Sequence, residues 1–426
     1  MLRSLCLFTL LMFAAPVCAE VKLDVTPDRS SGTYSPGETV TWTVIAKNED
    51  GRPVSGTVNF RLLAGSVKEV SSGKSELQEG KATVSGTRNE PGTLLARIEF
   101  RPKPDQQAVI SLGGAVFAPE KIQPSLPPPD DFDQFWEAKI AALRAVPMNT
   151  QLEKVEVNQP GVEYYKITFD NILGRKIRGH LAKPIGDGPF PAQLRVQAAG
   201  VYPLKPESIL GAAKQGWLVL NISAHDLPID DPIEVYQDKH AVDLKDYRIR
   251  GNADRETSYF LPMFLGCIRA VDYLTERPDW NRKTLFVFGG SQGGYQAIVT
   301  AGLHPAVTGM AGNVPAGCDH TGIQVGRQAG WPNWSGASNE SNIEKTTATS
   351  RYFDAMNFAR RIQCPALIGV GLIDSTCPPE GIFATFNQIQ GPKQIVIMPK
   401  ASHSVGYAEP YNPELNKMLN AQKSLK

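Results

Sequence analysis

The sequence predicts an α/β protein with a mostly parallel sheet flanked by helices, preceded by a small immunoglobulin-like β-sandwich. Three observations lead to this prediction. Residues 20–115 show only the two-residue alternation of strands. From about residue 160, apolar runs alternate with helical patterns, which is typical of a parallel sheet covered by helices. The glycine-rich turn FGGSQGGYQA, residues 288–297, stands between such a run and such a helix.

The N-terminus has the pattern of an export signal. Arg3 precedes an apolar run over residues 5–15, and residues 17–19 are small enough for a cleavage site. We expect cleavage near Ala19 and a secreted or periplasmic protein. A lipid anchor at Cys18 is the alternative, but residues 16 and 17 fit a lipoprotein signal poorly. The net charge of +1, with no Lys/Arg cluster, argues against nucleic-acid or membrane partners after cleavage.

Residues 20–115 are predicted to form the sandwich. Val40, Trp42 and Val44 alternate with threonines, and turn signals recur at short intervals. No Cys…Trp…Cys framework is present. We expect a spacer, a packing partner or an oligomer contact rather than a sugar-binding module. Residues 116–131, with three consecutive prolines, are predicted to be a linker or strap.

The catalytic domain is predicted over residues 132–426. Asp130 or Asp131 is expected to cap its first helix. A later helix carries a regular apolar stripe between Leu261 and Leu274. The predicted strands are residues 164–169, 177–182, 192–198, 217–222, 285–289, 307–312, 366–372 and 394–398.

The glycine-rich turn fits the G-x-S-x-G pattern that exposes a nucleophilic serine. Gly289 and Gly293 would permit a sharp turn at Ser291, whose backbone we expect at positive φ. The backbone N–H of Gln292 would then point toward a tetrahedral oxyanion. A phosphate-binding turn or a plain strand–helix turn is the alternative. A G-x-S-x-G turn between a strand and a helix predicts an α/β-hydrolase fold. In that fold the catalytic residues follow one another along the chain in the order serine, acid, histidine.

Asp374 and His403 are the predicted partners of Ser291. Each follows a predicted strand, so both should lie at the carboxyl edge of the sheet. Asp374 would orient His403, and His403 would take the serine proton. Alternatives for the histidine are His304 and His320, and Glu380 is the alternative acid.

The second oxyanion donor is expected in the loop after residues 192–198. Gly200 allows close approach of the backbone there, and the N–H of Val201 or Tyr202 is the candidate. The mechanism requires no metal or cofactor, and the chain contains no C-x-x-C pair. Cys364 and Cys377 flank one predicted strand and should lie too far apart for a disulfide. Pairing of Cys267 with Cys318 stays open.

Three blocks make the chain resemble the acetyl xylan esterase and cephalosporin C deacetylase family, carbohydrate esterase family 7. They are PPPDDFDQFWEAKIAAL, then GGSQGG with its upstream RAVDYLTERPDWN, and CPALIGVGLIDSTCPPEGIFATFN. The resemblance covers roughly residues 125–410. It implies an α/β-hydrolase that removes acetyl groups from sugars and small esters, often as a homo-oligomer. It also implies that Ser291, Asp374 and His403 are the triad and that Gln292 supplies an oxyanion amide.

Two segments depart from that family. QAAGVYP stands where the family usually has His-Gly-Tyr, and ISAHDLP stands where it usually has Arg-Gly-Gln-Gly. Residues 317–350 look inserted before a helix predicted at 351–361. Trp331 and Trp334 lie in this insertion and are expected either to stack on a sugar or to anchor the insertion against the core.

The sequence as a whole predicts an exported serine esterase that removes acetyl or other short acyl groups from an acetylated saccharide or a small ester. A peptidase of the prolyl-oligopeptidase type is one alternative, although some 95 residues of sandwich are too few for the β-propeller of those enzymes. A catalytically silent binding module with a hydrolase fold is the other.

Overall fold

The structure, a computed structural model, describes residues 21–337 and 342–424. The predicted signal peptide lies outside the described residues. Cys267, Cys318, Cys364 and Cys377 are all free thiols. Within the described ranges, no helix is long and apolar enough to cross a membrane.

Two β-sheets pack face to face in the N-terminal region. One sheet has the order β1-β3-β6 and the other β2-β8-β7-β4-β5, and only the short β2–β8 pair is parallel. The strands are β1 (Lys22–Pro27), β2 (Thr33–Tyr34), β3 (Thr39–Lys47), β4 (Gly56–Ala64), β5 (Lys68–Leu77), β6 (Lys81–Thr87), β7 (Gly92–Phe100) and β8 (Val109–Phe117). Trp42 and Val44 of one sheet share a core with Leu62 and Ile98 of the other. The threonines that alternate with Trp42 leave only apolar side chains on the inner face of β3.

Residues 118–131, which we call the strap, lie along the C-terminal domain and are held by side chains of that domain. The Asn387 amide donates to the carbonyls of Pro119 and Ile122, at 2.8 and 2.9 Å. The Arg351 guanidinium donates to the carbonyls of Pro127 and Pro128, at 3.0 and 3.2 Å. Prolines lack an N–H but keep a carbonyl, so an extended proline segment is well suited to accept such bonds.

The C-terminal sheet has nine strands in the order β17-β16-β15-β14-β12-β13-β11-β10-β9. From β13 to β17 in this order all pairs are parallel, whereas β11, β10 and β9 are antiparallel. The strands are β9 (Gln151–Val155), β10 (Val162–Asp170), β11 (Lys176–Pro184), β12 (Phe190–Val196), β13 (Leu218–Ile222), β14 (Trp280–Gly290), β15 (Gly309–Asn313), β16 (Ala366–Gly371) and β17 (Lys393–Met398). The sequence missed β9 because its residues are mostly exposed and carry little apolar alternation.

Helices cover both faces of this sheet. They are α1 (Phe132–Ala145), α2 (Glu207–Lys214), α3 (Ile233–Ala241), α4 (Phe260–Glu276), α5 (Gln292–Leu303), α6 (Trp334–Ala337), α7 (Ile343–Phe353), α8 (Ala355–Ala359), α9 (Pro379–Gln388) and α10 (Ala408–Lys423). Val287 of β14 packs in the core that contains α4 and α5, while its neighbour Phe286 packs against α10 on the other face. Strand alternation therefore supplies apolar contacts to both helix layers. The predicted α/β-hydrolase fold preceded by an immunoglobulin-like sandwich is confirmed.

Two local predictions were wrong. The helix expected at residues 351–361 is broken at Asp354, whose carboxylate accepts the Met356 N–H at 3.1 Å and caps α8. Asp131 stands at the start of α1 but makes no side-chain capping bond. Its carboxylate instead pairs with Arg255 at 2.6 Å and accepts a bond from the Tyr352 hydroxyl.

Candidate active site

Ser291 occupies a strained turn between β14 and α5. Its backbone has φ 54° and ψ −121°, a conformation that few non-glycine residues adopt. A Cβ atom at Gly289 would lie 2.6 Å from the Gly293 carbonyl carbon, and one at Gly293 would lie 2.5 Å from the Val196 carbonyl oxygen. The Ser291 N–H donates to the Asn313 carbonyl at 2.9 Å. The turn is therefore closed by backbone approaches that only glycine permits, and it is fixed to β15.

Ser291, His403 and Asp374 form one continuous hydrogen-bonded chain. His403 Nε2 lies 2.9 Å from Ser291 Oγ, and His403 Nδ1 lies 2.8 Å from Asp374 Oδ2. Asp374 follows β16 and His403 follows β17, so both side chains reach Ser291 from the carboxyl edge of the sheet. The carboxylate can only accept from Nδ1, which leaves Nε2 as the acceptor for the serine hydroxyl.

Asp374 is held by its own loop. Its Oδ1 accepts the backbone N–H groups of Thr376 and Cys377, each at 2.8 Å, and the residue is 2% exposed. One carboxylate oxygen is thus occupied by the turn and the other faces His403. Two backbone donors and one imidazole donor satisfy a buried carboxylate that would otherwise be costly to desolvate.

The alternative histidines and the alternative acid are engaged elsewhere. His304 Nε2 lies 3.0 Å from Asp272, at the end of α5. His320 is fully buried, which lowers its pKa to about 3, and its ring stacks on Trp334. Glu380 accepts a bond from Thr93 Oγ1 at 3.1 Å and pairs with Arg88, both of the sandwich, and with Arg327 of its own domain.

The loop after β12 is held beside the turn at Ser291. Gly200, at φ 115°, donates its N–H to the Tyr247 hydroxyl at 3.2 Å, and this hydroxyl donates to Gln292 Oε1 at 2.8 Å. His225 Nε2 lies 3.0 Å from the Gly200 carbonyl, and its Nδ1 lies 2.8 Å from the Tyr259 hydroxyl. Burial lowers the pKa of His225 to about 4, so the ring is neutral at pH 7. The only consistent pattern has Nε2–H donating to Gly200 and Nδ1 accepting from Tyr259.

The expected oxyanion amides lie in this region. Gln292 is the first residue of α5, where a backbone N–H has no acceptor within the helix. Among the described residues, no acceptor engages the N–H of Val201 or of Tyr202. The Tyr202 carbonyl accepts from the Gln197 side-chain amide at 2.8 Å, which fixes the far end of the loop.

Sequence reasoning missed Tyr247, His225 and Tyr259. His225 lies within ISAHDLP, the segment noted above only for the family residues that it lacks. The structure shows that this segment contributes the imidazole that holds Gly200. A histidine shortly after the strand predicted at residues 217–222 was the one sequence signal that could have drawn attention to it.

Trp331 and Trp334 have different surroundings. Trp334 is 1% exposed, packs against Phe260 and Phe353, and donates its indole N–H to the Arg248 carbonyl. A buried ring has no face left for a sugar, so the stacking role expected for Trp334 is wrong and the anchoring alternative holds. Trp331 is only partly buried, and its backbone N–H donates to the Thr376 carbonyl at 2.7 Å, next to the Asp374 turn.

One group of residues has the composition of a metal site. The potential ligand atoms of Asp374, Cys377 and His403 lie within 4.8 Å of one another. Burial, with the nearby Asp374 charge, raises the pKa of the Cys377 thiol well above its usual range. A metal requires the thiolate, and the other two groups already bond to each other. The arrangement therefore fits proton transfer better than metal binding.

A serine at a glycine-lined strand–helix turn, on a sheet of this topology, defines a hydrolase of the α/β-hydrolase class. Comparisons with known proteins narrow this class. A family model described as Acetyl xylan esterase (AXE1) matches residues 120–417. The chain belongs to the acetyl xylan esterase family and is a carboxylic ester hydrolase, as the sequence predicted.

Individual relatives agree with this assignment. The acetyl esterase Axe7A of Xylanibacter ruminicola is 34% identical over 358 residues, which are 83% of this chain and 80% of that protein. An acetyl xylan esterase from Paenibacillus sp. superposes with a TM-score of 0.61 at 24% identity, over 72% of this chain and 98% of its own. Acetyl xylan esterase 1 from Thermoanaerobacterium sp. superposes with a TM-score of 0.59 at 22% identity, over 71% of this chain and 97% of its own. These two structures share the fold of the C-terminal domain.

Proposed function

We propose that the protein is an exported serine esterase that removes acetyl groups from carbohydrate esters, with Ser291 as nucleophile, His403 as general base and Asp374 as the orienting acid. The observation that carries this proposal is the continuous chain from Ser291 Oγ through both nitrogens of His403 to the buried Asp374 carboxylate. The spacing along this chain, 2.9 and 2.8 Å, is that of hydrogen bonds ready for proton transfer.

The reaction follows from these contacts. His403 Nε2 takes the proton as Ser291 Oγ attacks the acetyl carbonyl, and the negative charge passes to the carbonyl oxygen. The Gln292 N–H and the N–H of Val201 or Tyr202 stabilise this oxyanion. The bond between the acetyl carbon and the sugar oxygen then breaks, and the imidazolium, stabilised by Asp374, protonates that leaving oxygen to give the free sugar hydroxyl. Water, deprotonated by the same imidazole, attacks the acetyl-serine and releases acetate.

The proposed substrate is an acetylated saccharide, since the family and the similar proteins above are named for acetyl esters and xylan. Trp331 is the remaining aromatic candidate for contact with a sugar, beside the Asp374 turn. Export rests on the pattern of residues 1–19, and the homo-oligomer rests on the family resemblance. Signal cleavage is tested by N-terminal sequencing of secreted protein, and the oligomer by light scattering.

The first experiment compares the protein with Ser291→Ala on p-nitrophenyl acetate, p-nitrophenyl butyrate and acetylated xylo-oligosaccharides. We expect turnover to fall by about 10³-fold or more in the variant, since the nucleophile is lost. Acetate should be preferred to butyrate, and acetate should be released from the oligosaccharide. Full activity in Ser291→Ala would contradict the assigned nucleophile, and esterase activity without sugar deacetylation would contradict the substrate.

A further inference from the structure

A cavity of about 460 Å³ lies beside the nucleophile turn, between α2 and α10. Gly289 and Gly290, directly before Ser291, form part of its wall, and Arg195 of β12 and Phe288 of β14 line its side. The volume lies within the roughly 300–1,000 Å³ that small-molecule sites occupy. Tyr202, whose N–H is a candidate oxyanion donor, also lines this cavity, whereas the Arg195 side chain has no part in the reaction described above.

Arg195 is an incompletely satisfied cation in this wall. Its guanidinium donates to the Gln193 side chain at 3.1 Å and to the Ser208 carbonyl, and it lies 5.1 Å from the centre of the Phe288 ring. Its Nε is buried and has no hydrogen-bond partner in the described structure. Both acceptors are neutral, and burial lowers the pKa of Arg195 to about 10.

Arg195 lacks a counterion among the residues that the structure describes. Within the described residues, no carboxylate lies at ion-pair distance from its guanidinium, and no aspartate or glutamate lines the cavity. Lys205 adds a second cation to the lining, and Asn221 and Asn412 add neutral amides. A partly buried cation without a counterion is incompletely stabilised, so binding of an anion in the cavity would be favourable.

We propose that Arg195 and this cavity form a carboxylate-binding site that takes an acidic sugar residue or the acetate released by the enzyme. A guanidinium offers a planar pair of donors that matches a carboxylate, and the Phe288 ring fixes its plane. The aromatic and amide side chains around it suit a polar ring with apolar faces. The identity of the carboxylate rests on the proposed function, whereas the preference for an anion does not.

The test measures binding to the full chain by calorimetry, with methyl glucuronoside, methyl glucoside and sodium acetate as probes. We expect the glucuronoside to bind at least about tenfold more tightly than the glucoside, since charge-assisted bonds to a guanidinium are strong. Tighter acetate than glucuronoside binding would assign the site to the product. Absence of binding by both carboxylates, or equal binding of glucuronoside and glucoside, would overturn the proposal.

Variants connect the binding to Arg195. Arg195→Gln should weaken carboxylate binding by about tenfold or more, and Arg195→Lys should weaken it less because the charge remains. Arg101→Gln removes an exposed arginine of the sandwich and should change nothing. A thermal melt checks that each variant is folded, and unchanged binding in folded Arg195→Gln would contradict the site.

The outcome is separable from that of the esterase proposal. Binding needs no turnover, so the titration is repeated in Ser291→Ala and should give the same affinity. Hydrolysis of p-nitrophenyl acetate, which carries no carboxylate, should stay within about twofold in Arg195→Gln, since the Arg195 side chain has no contact with the reacting atoms in the proposed mechanism. If the esterase proposal fails, the binding comparison still decides whether the cavity binds a carboxylate.

Discussion

At the scale of single residues, Tyr247 connects the two expected sources of oxyanion amides. Its hydroxyl accepts from Gly200 and donates to Gln292. We predict that Tyr247→Phe lowers kcat for p-nitrophenyl acetate by about 10-fold to 100-fold with little change in KM, because misplaced donors cost transition-state stabilisation. Steady-state kinetics measure both constants.

The matched control for Tyr247 is Tyr236→Phe. Tyr236 is also buried and also bonds through its hydroxyl, but to the Pro228 carbonyl and not to the site. It should lose some stability and keep kcat. Equal kcat in Tyr247→Phe and in the unaltered protein would show that the Tyr247 hydroxyl does not position the donors.

Asp374 should be indispensable to catalysis although it does not touch substrate. In Asp374→Asn the Oδ1 contacts with Thr376 and Cys377 can persist, but an amide N–H would face His403 Nδ1 and favour the wrong tautomer. We predict a fall in kcat on the order of 10³-fold to 10⁴-fold at neutral pH. Kinetics with p-nitrophenyl acetate measure this loss.

Glu380→Gln is the comparison for this loss. Glu380 lies between Arg88 and Arg327, away from His403 in the hydrogen-bond network. The substitution should lower the melting temperature of the protein and leave kcat within about threefold, since the hydrogen bonds among Ser291, His403 and Asp374 are unchanged. Retained activity in Asp374→Asn together with loss in Glu380→Gln would assign the acid to Glu380.

At the scale of elements, the sandwich packs against the strand end that precedes Asp374. Leu372 follows β16 and contacts Gly32 and Gly114 of the sandwich. A Cβ atom at Gly114 would lie 2.5 Å from both the Cβ and the carbonyl oxygen of Leu372. The neighbouring Gln328 donates its backbone N–H to Gly65 of the sandwich and its side-chain amide to the Ser375 carbonyl. The turn at Asp374 is therefore supported by contacts with the sandwich.

Gly114→Ala tests this support. The added methyl group must displace the Leu372 backbone, two residues before Asp374. We predict a loss of about 1–3 kcal/mol in the free energy of unfolding, because an extra methyl group in a filled contact destabilises the folded state. We also predict a fall in kcat with p-nitrophenyl acetate. Denaturant titration and kinetics measure the two effects.

Gly113→Ala is the control for this substitution. A Cβ atom there would lie 2.6 Å from Trp42 and Val25, inside the sandwich core and away from Leu372. It should destabilise the protein by a similar amount while kcat is kept. If both variants lose kcat equally, the effect comes from general destabilisation and not from the contact with Leu372.

At the scale of the whole molecule, buried neutral histidines make stability depend on pH. Burial lowers the pKa of His180 and His225 to about 4 and that of His320 to about 3. Between pH 6.5 and these values the unfolded chain binds more protons than the folded one, so stability is lost as pH falls. We predict a melting temperature that decreases steadily from pH 7 to pH 4.5, measured by calorimetry.

His180→Phe should reduce this dependence. The His180 Nδ1 is buried without a partner and the ring packs edge-on against Tyr164, so a phenyl ring fits the same contact. The slope of the unfolding free energy against pH should be smaller than in the unaltered protein, by at most about 1.4 kcal/mol per pH unit. His240→Phe, on the exposed surface of α3, is the control and should leave the slope unchanged. An unaltered slope in His180→Phe would contradict the assignment.

Much of the fold could be predicted from short-range patterns in the sequence. The alternation of β3, the apolar run of β14 and the glycines around Ser291 each depend on neighbours within a few residues, and such patterns determine strand, turn and fold class. The placement of Asp374 and His403 beside Ser291 was predicted from the rule that the carboxyl ends of parallel strands lie at one edge of a sheet. The helix break at Asp354 was missed because a capping aspartate and a helical aspartate look alike in sequence.

The sequence by itself determined the fold class, the family and the positions of Ser291, Asp374 and His403 at strand ends. Only the tertiary structure decided what surrounds them: the Tyr247 bond to Gly200, the burial of Trp334, the contact of the sandwich with Leu372 and the neutral acceptors that bond to Arg195. These contacts join residues far apart in the chain. Their geometry depends on how whole elements pack, and no local periodicity records that packing.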